Sequence, residues 1–354
     1  FADATNGAVK AADIKKEISA KRNKDLLMSY GLIPLGKKAD KELLERYQFL
    51  QKFLKESKDF GAQRQESEKK AVGIALQNLA LNSGYGDVTR LTWSMETELI
   101  KELLPYLSPK EIEDVEVYVH INDEGKAEIK QIKAGKELNS MPAKLKKHPY
   151  VEELKAVHKK LKDQYTRSRI MLEQAMEDCI RFEENELRKL MQNPVIWPLL
   201  KHLVFICNGQ AGFYTDGLLV TANAVCLPLK SKDELRIAHP TDLYASGDWH
   251  MYQKFLFDKA IRQPFKQVFR ELYVPTPEEE GATQSRRYAG NQIQPQKTVA
   301  VLKGRRWVAD YEDGLQKIYY KENIIATIYA MADWFSPADI EAPTLEYVCF
   351  HNRR

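Results

Sequence analysis

The order of apolar and polar positions divides the chain into a part with helical period and a part with mixed periods. In residues 41–55, Leu43, Leu44, Tyr47, Leu50, Phe53 and Leu54 recur at spacings of three and four, which predicts an amphipathic helix ended by Phe60-Gly61. Val72, Ala75, Leu76 and Leu79 repeat the pattern in 68–82, with Gly84 as a stop, and Leu91, Met95, Leu99 and Leu103 carry a third helix over 88–107. Residues 8–107 therefore read as a helical bundle or an irregular solenoid without a convincing repeat. The period then changes to two. Val115, Val117, Val119 and Ile121 alternate with polar residues, Asn122-Asp123-Glu124-Gly125 makes a turn, and 127–132 alternate on the return, a β-hairpin near 114–133. Residues 150–192 contain neither Gly nor Pro and predict one very long helix or a helix pair, which their charges mark as a solvated arm.

Beyond Asn193-Pro194 the pattern shifts again. Strands are expected at 203–207, 218–221, 235–238, 307–310, 316–321 and 345–350. Pro240 suits a first helical turn, Asp248 a cap for a helix through Phe257, and 263–273 and 297–303 short helices, with an exposed loop at 275–285. The expected fold is α+β, with a mostly helical region over 1–194 and an α+β region over 195–354.

Composition narrows the class. With 354 residues, 44% hydrophobic and 29% charged, the chain suits a folded protein of two or three domains, and no apolar run approaches a membrane span. It opens on Phe1 within a helix-compatible run and ends directly after an alternating stretch, so a fragment of a longer chain, with an open sheet edge, is expected. Cys179, Cys207, Cys226 and Cys349 form no C-x-x-C pair and read as buried free thiols of a cytoplasmic protein. The net charge of +4 is mild, but residues 141–170 hold nine Lys/Arg against three Asp/Glu, and 281–309 hold six Lys/Arg and no acid. Tyr150 and Tyr165 are the only aromatic residues of the first run, so any nucleic-acid binding should be weak and non-specific.

No P-loop, dinucleotide fingerprint, nucleophile elbow or H-E-x-x-H motif is present, and the Gly209-Gln210-Ala211-Gly212 turn lacks the Lys of a phosphate loop. His239, Asp242, Asp248 and His250 lie close in sequence, but capping roles suit both Asp better than metal binding. No metal or cofactor is expected, and no catalytic residue stands out. What remains is a polar and aromatic constellation that includes His239, Trp249, Gln253, Gln263, Lys266, Gln267, Arg270, Arg286, Arg287, Tyr288, Asn291 and Gln292. Arg offers a planar fork for phosphate or carboxylate, and Tyr or Trp a stacking face. Lys266, Arg270, Arg286, Arg287 and Tyr288 are the expected anion-binding groups, with Gln263, Gln267, His239 and Trp249 around them. A buried polar network that holds loops to a sheet is the competing reading, and the preferred one.

Several tracts resemble a known family: Phe53-Leu54-Lys55 through Phe60-Gly61-Ala62-Gln63-Arg64, Arg90-Leu91-Thr92-Trp93-Ser94-Met95-Glu96, Glu234-Leu235-Arg236-Ile237-Ala238-His239-Pro240, Gly247-Asp248-Trp249-His250, Arg287-Tyr288-Ala289-Gly290 and, most specifically, Gln263-Pro264-Phe265-Lys266-Gln267-Val268-Phe269-Arg270-Glu271-Leu272-Tyr273. They resemble the bacterial MolR-like family, domain of unknown function 4132, over most of the chain. The resemblance implies a module of a multidomain cytoplasmic protein, often beside a WGR module, and transfers no catalytic residue. The expected function is a non-catalytic interaction or regulatory module whose partners are other domains of the same parent chain. The alternative is a ligand-binding or enzymatic domain for an anionic, phosphorylated or nucleotide-like small molecule.

Overall fold

The three expected N-terminal stripes become packed helices in this computed structural model, which describes residues 1–310, 314–320, 322–332, 334 and 343–352. The helices are α1 (Ala2–Thr5), α2 (Ala11–Lys21), α3 (Lys24–Tyr30), α4 (Ala39–Glu56), α5 (Ala62–Asn82) and α6 (Val88–Leu103). Leu43, Tyr47, Leu50 and Phe53 of α4 are buried with Val72, Ala75 and Leu79 of α5 and Leu91 and Met95 of α6. Gly31, just after α3, lets two backbones meet: a Cβ there would stand 2.3 Å from the Ala75 carbonyl oxygen. Within this bundle Glu96 takes hydrogen bonds from the Tyr47 hydroxyl at 2.7 Å and from the Arg167 guanidinium at 2.7 and 3.1 Å, so its buried charge is paired.

The expected hairpin is β2 (Val115–Ile121) and β3 (Ala127–Lys133), flanked by β1 (Lys110–Ile112) and β4 (Lys136–Glu137) in one antiparallel sheet. α7 (Pro149–Glu177) follows. The solvated arm expected here is a structural spine instead. Val151, Leu154, Val157 and Leu161 are buried against the first sheet, and Leu172, Ala175 and Met176 are buried in the next core. Spacings of three and four set this stripe on one side of the helix, and each buried Leu or Val contributes roughly 1.5–3 kcal/mol. The many Lys residues occupy the other side, which is why composition alone suggested an arm.

The long helical stretch ends at Glu177, because Arg181–Glu183 is strand β5 and a separate helix α8 (Glu184–Leu190) follows. The change of period near 195 leads through α9 (Ile196–Leu200) into β6 (Val204–Cys207), β7 (Gln210–Thr215), β8 (Leu218–Val220), β9 (Cys226–Pro228) and β10 (Glu234–Ile237). The six strands form an antiparallel sheet in the order β5-β10-β6-β7-β8-β9. Its alternation is strict. Phe205, Cys207 and Tyr214 enter the core shared with α7, while Val204, Ile206 and Phe213 enter the core under α10 (Pro240–Ser246) and α11 (Trp249–Asp258). Asp248 precedes α11 but gives no side-chain cap. Of the four cysteines only Cys207 is buried; Cys349 is half-buried, and Cys179, after α7, and Cys226, in the outer strand β9, are exposed.

Compactness divides the chain into residues 1–269 and 270–354. Residue 195 lies inside the first unit. The second unit holds β11 (Gln284–Ser285), α12 (Pro295–Lys303), β12 (Val308–Asp310), β13 (Gly314–Tyr319), β14 (Ile324–Met331) and β15 (Thr344–Asn352), in the antiparallel order β11-β15-β14-β13-β12. Of the strand expected at 316–321, Lys321 lies outside the described residues. Leu315, Ala330 and Trp334 form the small buried core of this unit. The fold is α+β, helical first and sheet-rich later.

Candidate functional site

The stretch with the most specific family likeness, 263–273, is not a helix. Its amides do other work. Gln267 is fully buried; its Oε1 accepts from the Val204 N–H at 2.9 Å, and its Nε2 donates to the carbonyls of Val204 at 2.8 Å and Ala238 at 2.9 Å. Gln263 Nε2 donates to the His202 carbonyl at 2.8 Å and to Gln267 Oε1 at 2.9 Å, and Gln263 Oε1 accepts from the Val268 N–H at 2.9 Å. The Trp249 indole donates to the Val268 carbonyl at 2.6 Å, and the Gln253 amide donates to it at 3.2 Å. Side chains thus supply the hydrogen bonds that a helix would have drawn from its own backbone, and they fasten the stretch to the start of β6 and the end of β10. Lys266 and Arg270, expected on one helical face, share none.

His239 is likewise committed locally. It caps α10, its Nδ1 facing the Thr241 hydroxyl at 2.8 Å, while its backbone N–H donates to Asp242. Asp242 takes both guanidinium arms of Arg236, at 2.5 and 2.7 Å. Burial would raise the Asp242 pKa, but the Arg236 and His239 donors outweigh it and leave the carboxyl below its ordinary range.

Where the 249–269 stretch meets the rest of the first unit, its outer face opens into a groove. One end, of about 320 Å³, is lined by Glu124 and Lys126 of the hairpin turn, Tyr165 and Arg169 of α7, Arg262 and Gln263. The other end, of about 630 Å³, runs from Arg169 and Arg262 past Phe257, Ile261 and Lys266 to Phe269. The hairpin turn reaches this place because of Gly125, which has φ +81° and passes so close to α9 that a Cβ would stand 2.7 Å from the Val195 carbonyl oxygen. Glu124 is already paired with Lys126, whose hydrogen bond holds its carboxyl below the ordinary value. Arg169 is half-buried and Arg262 exposed, and neither makes a hydrogen bond or ion pair with a described residue. Phe257 is 80% exposed and Phe269 47% exposed at the apolar end. A pair of open guanidinium forks beside exposed aromatic rings can hold a carboxylate or phosphate attached to an apolar body.

The remaining expected site residues, Arg270, Arg286, Arg287 and Tyr288, belong to the second unit. The acid-free run of sequence is not acid-free in space. Arg286 and Arg287 line a recess of about 470 Å³ together with Glu278 and Glu279. Glu279 accepts hydrogen bonds from the Ser285 and Tyr273 hydroxyls and from the Thr276 N–H, which together push its carboxyl down to about 2. The Arg287 guanidinium donates to the Val274 carbonyl at 3.2 Å and lies over the rings of Tyr273 and Tyr288, at 5.2 and 5.9 Å. Among the described residues no group of three or more His, Cys, Asp and Glu could hold a metal ion.

Of the expected first-unit residues, then, Lys266 and Gln263 line the groove, whereas Gln267, Trp249 and His239 are engaged within the fold. The groove's own cations, Lys126, Arg169 and Arg262, were not singled out in the sequence. Arg169 stood inside the basic run of 141–170, and nothing local ties it to Arg262. No helix among the described residues is long and apolar enough to cross a membrane. No curated protein and no solved structure matches the chain. The family resemblance is narrower than its tracts suggested, for those at 53–64 and 90–96 fall, all but Glu96, in a stretch matched by a different model, the Family of unknown function (DUF5724), over residues 1–95. The Domain of unknown function (DUF4132) matches residues 135–307, the stretch that holds α7, the second sheet, Arg169, Arg262 and Lys266.

Proposed function

We propose that this chain is a non-catalytic interaction module of a multidomain bacterial cytoplasmic protein, and that its groove receives an acidic segment of a protein partner, another domain of the parent chain included. The observation that carries this reading is the pair Arg169 and Arg262: two guanidinium groups from distant parts of the sequence line one groove, and neither is hydrogen-bonded or ion-paired with a described carboxylate, although Glu124 feels the charge of Arg262. Phe257 and Phe269 beside them favour a partner segment that follows its acids with an aromatic or aliphatic side chain. The MolR-like resemblance, with its frequent WGR neighbour, supports a place within a larger regulatory assembly. Glu279, with its carboxyl near 2, stays ionised at neutral pH and is poorly suited to exchange protons, which weighs against the enzymatic alternative for the second-unit recess.

The test is fluorescence anisotropy with a labelled peptide of alternating Glu and Asp followed by Phe, beside a charge-reversed peptide and inorganic pyrophosphate. The acidic peptide should bind, with affinity falling as salt rises. Arg169→Ala combined with Arg262→Ala should weaken it about tenfold or more, the loss expected for charge-assisted hydrogen bonds. Equal binding of both peptides, or no effect of the double substitution, would overturn the reading. Selective binding of pyrophosphate would transfer the groove to the small-anion alternative.

A further inference from the structure

The polar side of α7 carries a feature that the groove meets only at its end. Lys155, Lys159, Lys162, Thr166 and Arg169 follow one another at spacings of four, three, four and three, which sets them in one row along the helix. The three lysines and Thr166 are exposed. At 1.5 Å per residue the row runs about 21 Å, from Lys155 to Arg169, whose side chain lines both ends of the groove.

Other helices match surface lysines to carboxylates one turn away: Lys21 to Glu17, Lys101 to Glu98 and Lys254 to Asp258. The row on α7 does not. Lys159 stands one turn from both Lys155 and Lys162, so like charges repel along it. Asp163, one turn after Lys159, is taken by Lys55 of α4 at 3.3 Å. Glu152, three residues before Lys155, forms no ion pair with a described residue, and neither do Lys159 and Lys162. Lys155 donates to the Lys146 carbonyl at 3.0 Å, a neutral acceptor that leaves its charge unmatched. The row is thus a line of like charge, continuous with the Arg169 end of the groove.

A phosphodiester chain would also meet these charges, but its bases need stacking faces. Tyr150 is stacked on Tyr106 at 5.5 Å and has the Lys110 amine over its ring, while Tyr165 is half-buried against two cores. Carboxylates need no such face. We propose that the acidic protein segment received by the groove continues along this row as an extended chain. At 3.3–3.6 Å per residue, about six further residues span its 21 Å. This inference rests on the reading of the groove.

The test compares two labelled peptides by fluorescence anisotropy at about 0.15 M salt. The short one has four alternating Glu and Asp residues followed by Phe, and the long one has six more acidic residues ahead of them. The long peptide should bind about fivefold tighter or better, with the gain shrinking as salt rises. Lys155→Gln, Lys159→Gln and Lys162→Gln together should remove that gain. Gln has nearly the helix propensity of Lys, so the melting temperature should stay or rise. Lys162 stands about 10.5 Å along the helix from Arg169, beyond the screening length of about 8 Å, so the short peptide should bind the triple variant as before. If the short peptide does not bind the unaltered chain, the groove reading fails and takes this one with it. If it binds but the long peptide gains less than twofold, or the gain survives the triple substitution, the continuation alone is overturned. Tighter binding of a twelve-residue oligothymidylate than of the long peptide, lost in the triple variant, would overturn it by giving the row to nucleic acid.

Discussion

Two polar regions lie side by side on the 249–269 stretch, and they differ in what their hydrogen-bonding groups are given to do. In the amide clamp, every polar atom of the Gln267 side chain meets a backbone partner, and Trp249, Gln253 and Gln263 complete the set. In the groove, Arg169 and Arg262 form no hydrogen bond or ion pair with a carboxylate among the described residues, and large apolar rings stand open beside them. The clamp residues, and of the groove only Gln263 and Lys266, stand out in the sequence, in a density of Gln, Arg, Lys and aromatic residues. Satisfaction separates them. Polar groups whose partners are all internal define architecture, whereas exposed, unmatched ones are available to a partner.

The sharpest way to break that contrast is Gln267→Leu. It takes their side-chain partner from the buried Val204 N–H and the Ala238 carbonyl, at roughly 1–3 kcal/mol each, while the Val204 carbonyl still accepts from the Ala238 N–H at 2.9 Å, so a loss of about 2 kcal/mol or more is expected in chemical denaturation. A loss below about 1 kcal/mol would mean that water replaces the clamp. Next in size, Trp249→Phe removes one donor to the Val268 carbonyl while Gln253 still reaches it, and should cost about 1 kcal/mol. By contrast, Arg169→Ala with Arg262→Ala should change stability by no more than about 0.5 kcal/mol, as for substitutions away from packing and caps. A large loss of stability in that variant would move the groove to the side of the clamp.

The smallest effect expected is one of pH. His202, whose carbonyl the clamp engages, is held below its ordinary pKa by burial first and by the charge of Lys201 second, against Asp123 and Glu124. Its unfolded form takes up a proton more readily than its folded form. The stability it supports is therefore complete above about pH 6.5 and declines as pH falls through that value. Melting temperatures across pH 5–8 should slope less in His202→Gln than in the unaltered chain; identical slopes would remove His202 from the account.

Much of the fold was legible. The helical stripes, the hairpin and the alternating strands report which side of each element is buried, and that is what periodicity encodes. Some signals were present and misread. Asn208-Gly209 and Asp216-Gly217 are two-residue turns with positive φ at both positions, and they place β7 between β6 and β8, where a loop suggestive of phosphate binding had drawn attention. The run Ile324–Met331 had the apolar, β-branched character of a strand and became β14. The groove was not legible, for Lys126, Arg169 and Arg262 come from three separate elements and only tertiary packing assembles them. The role of Gln267 was equally hidden, since a buried amide and an exposed one are the same letter.

α7 serves two cores along one continuous rod of about 44 Å, at 1.5 Å per residue over its 29 residues. Its first half completes the packing of the first sheet and its second half that of the second, with Tyr165 against both. Neither core can therefore melt without withdrawing support from the other. The two should behave as one cooperative folding unit, in which slow-exchanging amides run unbroken through the middle of the helix and no stable intermediate retains one sheet alone.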